Sequence, residues 1–188
     1  MKGLPPSALG PTLRTSRLLL RPPAVEDFES WAQLMADEEH VRHIGGAQAR
    51  PVVWRGLMAM IGCWAAQGFG MFSVIEAATG RWIGRIGPWA PEGWPGTEVG
   101  WTLVRDATGQ GYAHEAAVAT IDWAFDELGW SEVIHTIAPA NEPSRVLAQR
   151  LGSSYRRTAA VLPTPFDTME VEVWGQTCEQ WRRRGEPG

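Results

Sequence analysis

The apolar positions along the chain follow two rhythms, one of period two and one close to three and a half. In residues 15–22, TSRLLLRP, Leu18 and Leu20 share one face of a strand that Pro22-Pro23 closes. Val25, Phe28, Trp31, Ala32 and Met35 then recur at helical spacing and predict a helix over 25–37. Residues 40–50 read as a loop around Gly45-Gly46. Pro51 suits the first turn of a second helix that runs to about Ala66, ended by Gly68 and Gly70. Strands follow over 69–76 and 82–88. The turn Ala77-Ala78-Thr79-Gly80 between them predicts an antiparallel hairpin. After a turn-rich loop, 89–96, comes a strand over 98–104. A short strand over 133–138 precedes a helix that starts at Asn141-Glu142-Pro143-Ser144 and is capped by Gly152. Two final strands are predicted over 155–162 and 169–174. The proline- and glycine-rich residues 1–11 read as a loose arm, and Arg182-Arg183-Arg184 as a solvated helix end.

The stretch 97–119, TEVGWTLVRDATGQGYAHEAAVA, organises the rest. A buried strand leads through a loop with Gly109 and Gly111 into a helix marked by Ala113, Ala116, Ala117, Thr120, Ile121, Ala124 and Phe125. A helix N-terminus carries unpaired N–H groups and partial positive charge, and glycine lets an anion approach them. On these residues alone, a phosphate cradle and a tight strand-to-helix turn stay equally open. The loop lacks the lysine and Ser/Thr of a P-loop. It also fails the dinucleotide fingerprint, since His114 stands where glycine or alanine belongs.

Composition narrows the classes. The chain has 188 residues, 44% apolar and 20% charged, which fits one folded domain over 1–188. A net charge of −4 gives no electrostatic footprint for a nucleic-acid or anionic-membrane partner. Cys63 and Cys178 fit neither a disulfide framework nor a metal site, so no metal is expected. The start has no apolar run of signal-peptide length, which makes the cytoplasm the expected location. Eleven tryptophans are many for this length; core filling and the lining of a pocket are the two readings open to them.

GQGYAHEA resembles the coenzyme A loop of the GNAT acyltransferase superfamily, R/Q-x-x-G-x-G/A. The pattern falls on Thr108, Gly109, Gln110, Gly111, Tyr112 and Ala113, with Thr108 in place of Arg or Gln. TSRLLLRP, WIGRIG, EVGW, GQGYAHEA and N-x-x-S followed by LG occur in the order of that family. Together they resemble the branch of the ribosomal-protein alanine N-acetyltransferases, and the resemblance implies a domain core at about 13–174. The resemblance implies an α/β (α+β) fold: a mixed, mostly antiparallel sheet, splayed in the middle and flanked by helices. It implies acetyl-CoA as co-substrate, and a primary amine as acceptor, either a protein N-terminus or a small molecule. A homodimer is an assembly it allows.

The same resemblance assigns roles. Gly109, Gln110, Gly111, Tyr112, Ala113 and His114 would hold the pyrophosphate. Backbone groups of Thr102, Leu103 and Val104, with the Asn141 side chain, would hold the pantetheine arm. Glu98 is the preferred general base, against the alternative of a solvent-facing carboxylate at a strand edge. Ser144 is the candidate acid, against plain helix capping, because Ala148 stands where many family members have a tyrosine. Glu76 and Asp106 lack a positional argument, and His135 reads as a satisfied core histidine. Trp89, Trp94 and Trp101 are candidates for bordering the acceptor pocket. Two rivals remain: a tailoring or resistance acetyltransferase for an amino sugar or amino acid, and a non-catalytic acyl-CoA-binding module.

Overall fold

The computed structural model describes residues 4–159, 162–163 and 166–184. Its strands are β1 (Leu13–Arg14), β2 (Leu18–Arg21), β3 (Phe72–Glu76), β4 (Trp82–Trp89), β5 (Glu98–Leu103), β6 (Glu132–Ile137), β7 (Ser154–Ala159) and β8 (Val171–Thr177). They form one sheet in the order β1-β2-β3-β4-β5-β6-β8-β7. Helices α1 (Phe28–Ala36), α2 (Glu38–Val41), α3 (Arg50–Gln67), α4 (Tyr112–Asp126), α5 (Glu142–Arg150) and α6 (Cys178–Arg183) flank it. This is the mixed, mostly antiparallel sheet that the resemblance implied. Only the β5–β6 pair is parallel, because a helix, α4, carries the chain back between those two strands.

Helices cover both faces of the sheet. Ala116, Ala117 and Ile121 of α4 pack on Leu18, Ile83 and Val99, all without exposed surface. Trp31 and Met35 of α1 and Leu57 of α3 pack on the other face, against Ile75 and Trp82. Successive strand residues point to opposite faces, so Val74 joins the first cluster and Ile75 the second. That is why these strands read as near-continuous apolar runs.

Several expected boundaries shift. The arm over 1–11 is not loose where described: Pro6–Ala8 form a 3-10 turn and Leu9 packs on the core. The strand of 15–22 is instead a hairpin of β1 and β2, turned at Thr15, whose N–H donates to the Leu18 carbonyl at 3.0 Å. The helix of 25–37 opens as a 3-10 turn, Val25–Asp27, which leaves Val25 48% exposed and off the apolar stripe. The loop of 40–50 overlaps a short helix, α2. The strand of 155–162 is β7, Ser154–Ala159, and residues 160–161 lie outside the described ones. β8 starts at Val171 rather than Met169. Arg182 and Arg183 do form a solvated helix end, paired to Asp126 and Glu179.

Candidate active site

The site lies where β5 and β6 part. Their parallel ladder has one registered pair, Glu98 with Ile134. Beyond it, side chains take over the bonds that the sheet would have made. The Thr136 N–H donates to Glu98 Oε1 at 3.1 Å, and the Val99 carbonyl accepts from His135 Nδ1 at 2.7 Å. The opening holds a cavity of about 130 Å³, lined by β4, β5, β6, the start of α5 and flanking loops.

Glu98 is 5% exposed and lines this cavity, so the solvent-facing alternative does not hold. Its carboxylate accepts from the Trp94 indole N–H, the Thr136 N–H and the Thr136 hydroxyl, which lies 3.0 Å from either oxygen. Burial raises its pKa from 4.5 to about 7. Those hydrogen bonds, and the positive charge of Arg85, oppose the rise without cancelling it. A carboxyl tuned near neutrality can take a proton at physiological pH.

The neighbouring groups divide by partner. Burial lowers His135 to about 4, so it is neutral. Its Nδ1 donates to Val99, and its Nε2 accepts from the Ser153 hydroxyl at 3.0 Å, as a satisfied core histidine should. Asn141 caps α5 by accepting from the Ser144 N–H at 3.3 Å, and both side chains line the cavity. Ser144 Oγ accepts from Trp101 Nε1 at 3.1 Å, which leaves its own proton to donate. Ala148 is fully buried. Trp89 and Trp94 meet edge to face at 6.3 Å on the cavity wall, and Trp94 meets Phe166 at 5.9 Å. Glu76 and Asp106 are spent elsewhere, on Tyr112 and Arg81.

On β5 the free backbone groups differ from those expected. The Val104 N–H donates to Ile83 at 2.9 Å, and the Leu103 carbonyl accepts from His40 Nε2 at 2.7 Å. Bonded pairs alternate in an antiparallel ladder. The backbone groups of Thr102 and the Val104 N–H therefore belong to β4, the Val104 carbonyl accepts from the Ala107 N–H at 3.0 Å, and the groups of Trp101 and the Leu103 N–H face the split.

Gly111 caps α4 in the left-handed region, φ 81°, and Gly109 has φ 74°, so both need glycine. No heavy atom stands within 4 Å of where a side chain at Gly109 would begin. Gln110 folds back on the Asp106 carbonyl at 2.6 Å and Tyr112 donates to Glu76 at 2.7 Å, so their side chains brace the loop. Ala113 and His114 lie in the first turn of α4. A clasp unforeseen from sequence secures that turn. Glu115 accepts from the Thr15 and Ser16 hydroxyls and from the N–H and Nε of Arg17. The Arg17 guanidinium also reaches the Gln110 carbonyl at 3.0 Å and lies over the Tyr112 ring. The open glycine loop, the helix terminus and the unpaired edge of β5 suit an extended ligand with a diphosphate at one end.

Arg85 also escaped the sequence reading. It lines the cavity, and its Nε is buried without a hydrogen-bond partner. Burial lowers its pKa to about 10. The signal was present: one charge, in IGRIG, inside an otherwise apolar strand.

Comparison with known proteins agrees with this geometry. Residues 17–154 match the model of the family described as acetyltransferase (GNAT) domain. The uncharacterized N-acetyltransferase p20 of Bacillus licheniformis is 31% identical over 143 residues, 74% of this chain and 80% of that protein. The uncharacterized protein YkkB of Bacillus subtilis is 31% identical over 105 residues, 55% of this chain; the match spans only 61% of YkkB. An acetyltransferase structure from Agrobacterium tumefaciens has TM-score 0.78 and 34% identity, covering 88% of this chain and 94% of that one. Mycobacterium smegmatis RimJ, in complex with CoA-disulfide, shares the fold at TM-score 0.70 and 20% identity, covering 87% and 83%.

Proposed function

This chain belongs to the GNAT acetyltransferase family, and on that premise we propose that it acetylates a primary amine by direct attack on acetyl-CoA in a ternary complex. The observation that carries the reading is Glu98, a buried carboxyl lining the cavity at the split, with its pKa raised to about 7. Acetyl-CoA supplies the activated acyl group as a thioester. The chain supplies position and proton transfer.

Gly109, Gly111 and the first turn of α4, including the N–H groups of Ala113 and His114, receive the diphosphate. The edge of β5, at the Trp101 backbone groups and the Leu103 N–H, together with Asn141, receives the pantetheine amides. The Glu98 carboxylate takes a proton from the acceptor ammonium. The freed lone pair then forms the C–N bond as the C–S bond breaks. The Ser144 hydroxyl, free to donate, protonates the leaving sulfur and recovers a proton from the acceptor nitrogen, which gives up its second one to become the neutral amide. A cytoplasmic location fits acetyl-CoA as donor, and no helix among the described residues is long and apolar enough to cross a membrane.

The experiment is release of free thiol from acetyl-CoA against a panel of small amines and N-terminal peptides. Amine-dependent release is expected. Binding of acetyl-CoA with no release for any amine would replace this reading with a non-catalytic acyl-CoA-binding module.

A further inference from the structure

We propose that Arg85 receives an anionic group of the acceptor, so that the amine acetylated here carries a carboxylate. The proposal rests on the acetyl-transfer reading above and adds the chemical class of its acceptor.

Register places the two charges on one face. Arg85 lies opposite Thr102, Gly87 opposite Gly100, and Trp89 opposite Glu98. Directly opposed residues of an antiparallel pair share a face, and so do alternate residues of each strand. Arg85 therefore stands at one end of this floor and Glu98 at the other, with a pair of glycines between. Arg85, Trp89, Glu98, Gly100 and Thr102 all line the cavity. Met71 spans the gap. Its sulfur is 3.6 Å from Arg85 Nη1, and its methyl lies 2.7 Å from where a side chain at Gly100 would begin, a point 3.4 Å from Glu98 Oε1.

Arg85 is not spent on a structural partner. A guanidinium has five N–H donors. Here Nε is buried without a partner, Nη1 meets only the Met71 thioether, and the cation lies 4.9 Å from the centre of the Trp31 ring. No ion pair joins it to a carboxylate among the described residues. Its influence on Glu98 acts through space, without a hydrogen bond. Buried polar atoms such as this Nε are almost always bonded, and a half-buried guanidinium with open donors facing a cavity is complementary to an oxyanion.

Charge count selects the anion. His43 is the other basic residue on the lining whose charge could help, and burial together with Arg42 lowers its pKa below the usual value. One cation matches one negative charge, and a dianion would also be repelled by Glu98. Trp89, Trp94 and Phe166 supply an apolar wall for the acceptor's body. The ammonium then faces Glu98 while the carboxylate faces Arg85. That is the charge pattern of an amino acid, or of a peptide with a free amine and an acidic group.

The test compares acceptors matched in shape and differing in charge: methionine with methioninamide, 4-aminobutyrate with its amide, and peptides with Glu or Gln at the second position. The readouts are kcat/KM by thiol release and, independently, calorimetric binding of each acid and amide to the CoA-bound protein. Wild type should favour the acid of at least one pair by about 10- to 100-fold, the range for a hydrogen bond to a charged group. Arg85→Met should bring that ratio near one, and Arg85→Lys should restore part of it. The ratio cancels any general change in rate from altering the surroundings of Glu98. The small acids and the peptides separate the two sources of carboxylate. Equal use and equal binding of acid and amide by wild type overturns the proposal, as does a ratio unchanged in a folded Arg85→Met that still binds CoA. If no amine yields thiol, acid-selective binding that depends on Arg85 still upholds the anion site, and its absence rejects it.

Discussion

Replacing Glu98 with glutamine keeps the shape of the side chain and removes its basicity. At pH 7 about half of the wild-type carboxyl is ionised, because burial sets its pKa near 7. Turnover should therefore rise through that pH in the wild type and lose this inflection in Glu98→Gln. A general base contributes ~100- to 10,000-fold, so a fall of that size is expected at neutral pH. Part of it should return at high pH, where free amine is abundant. The same residue leaves a stability signature. The fold raises the pKa from 4.5, so it holds the proton more tightly than the unfolded chain does. The resulting stabilisation is complete below pH 4.5 and lost as pH rises through about 7. That interval corresponds to roughly 3 kcal/mol. Glutamine does not titrate, so its stability relative to wild type should improve by about that amount across the window. A constant cost opposes the gain. The Trp94 indole and the Thr136 N–H both donate to Glu98, and an amide offers one acceptor oxygen. One donor is left facing an NH₂ group, at about 1–3 kcal/mol. Thiol release and urea unfolding, each from pH 4.5 to 8.5 on both proteins, measure the two effects. Wild-type turnover in the variant at neutral pH would falsify Glu98 as base. A stability difference that stays flat across the window would remove the buried, proton-holding carboxyl from the argument.

Acetyl-CoA at ~100 times its Kd should add about 2.7 kcal/mol, and hence roughly 5–10 °C to the Tm; an unchanged Tm well above micromolar ligand counts against a donor site. Gly111→Val should weaken CoA binding, since a side chain there meets the diphosphate position and stands 3.4 Å from Arg17 Nη2. Gly129→Val, at another left-handed glycine with open space around it, is the control for backbone strain, and equal affinities in the two variants would leave the loop as a turn. Ser144→Ala should lower turnover, by about 100-fold at the low end of acid catalysis, with acetyl-CoA affinity nearly kept; unchanged turnover would mean that the thiolate leaves unaided.

Local pattern made much of the architecture legible. The glycine loop, the Asn141 cap, the hairpin at Gly80 and the apolar faces of α1 and α4 follow from spacing and turn chemistry over a few residues. What escaped was non-local. The clasp of Thr15, Ser16 and Arg17 on Glu115 joins residues about a hundred positions apart, which no short-range rule links. α2 is four residues long, below the length at which helical periodicity is readable. The expectation that Thr102, Leu103 and Val104 all expose backbone groups passes over the alternation of an antiparallel ladder, which gives Thr102 and the Val104 N–H to β4. Strand membership is visible in sequence, whereas the partner to which each residue bonds is set by register. The burial of Glu98 was likewise hidden, because Trp94 and Thr136, which close over it, come from a loop and from another strand.

The split in the sheet and the raised pKa of Glu98 have one origin. A single registered pair joins β5 to β6, after which the strands part and leave edge groups in need of partners. Unpaired N–H groups in a buried opening are costly, and Glu98 satisfies that of Thr136 with its side chain. Doing so draws the carboxyl into the sheet, where desolvation raises its pKa more than the hydrogen bonds lower it. The other edge groups, those of Trp101 and the Leu103 N–H, face the same opening and are left for an extended ligand, while the Leu103 carbonyl is taken by His40. Donor slot and base are thus two consequences of one break in pairing. A substitution that closed the break, by restoring β5–β6 bonds beyond Ile134, would remove both together, whereas Glu98→Gln separates them.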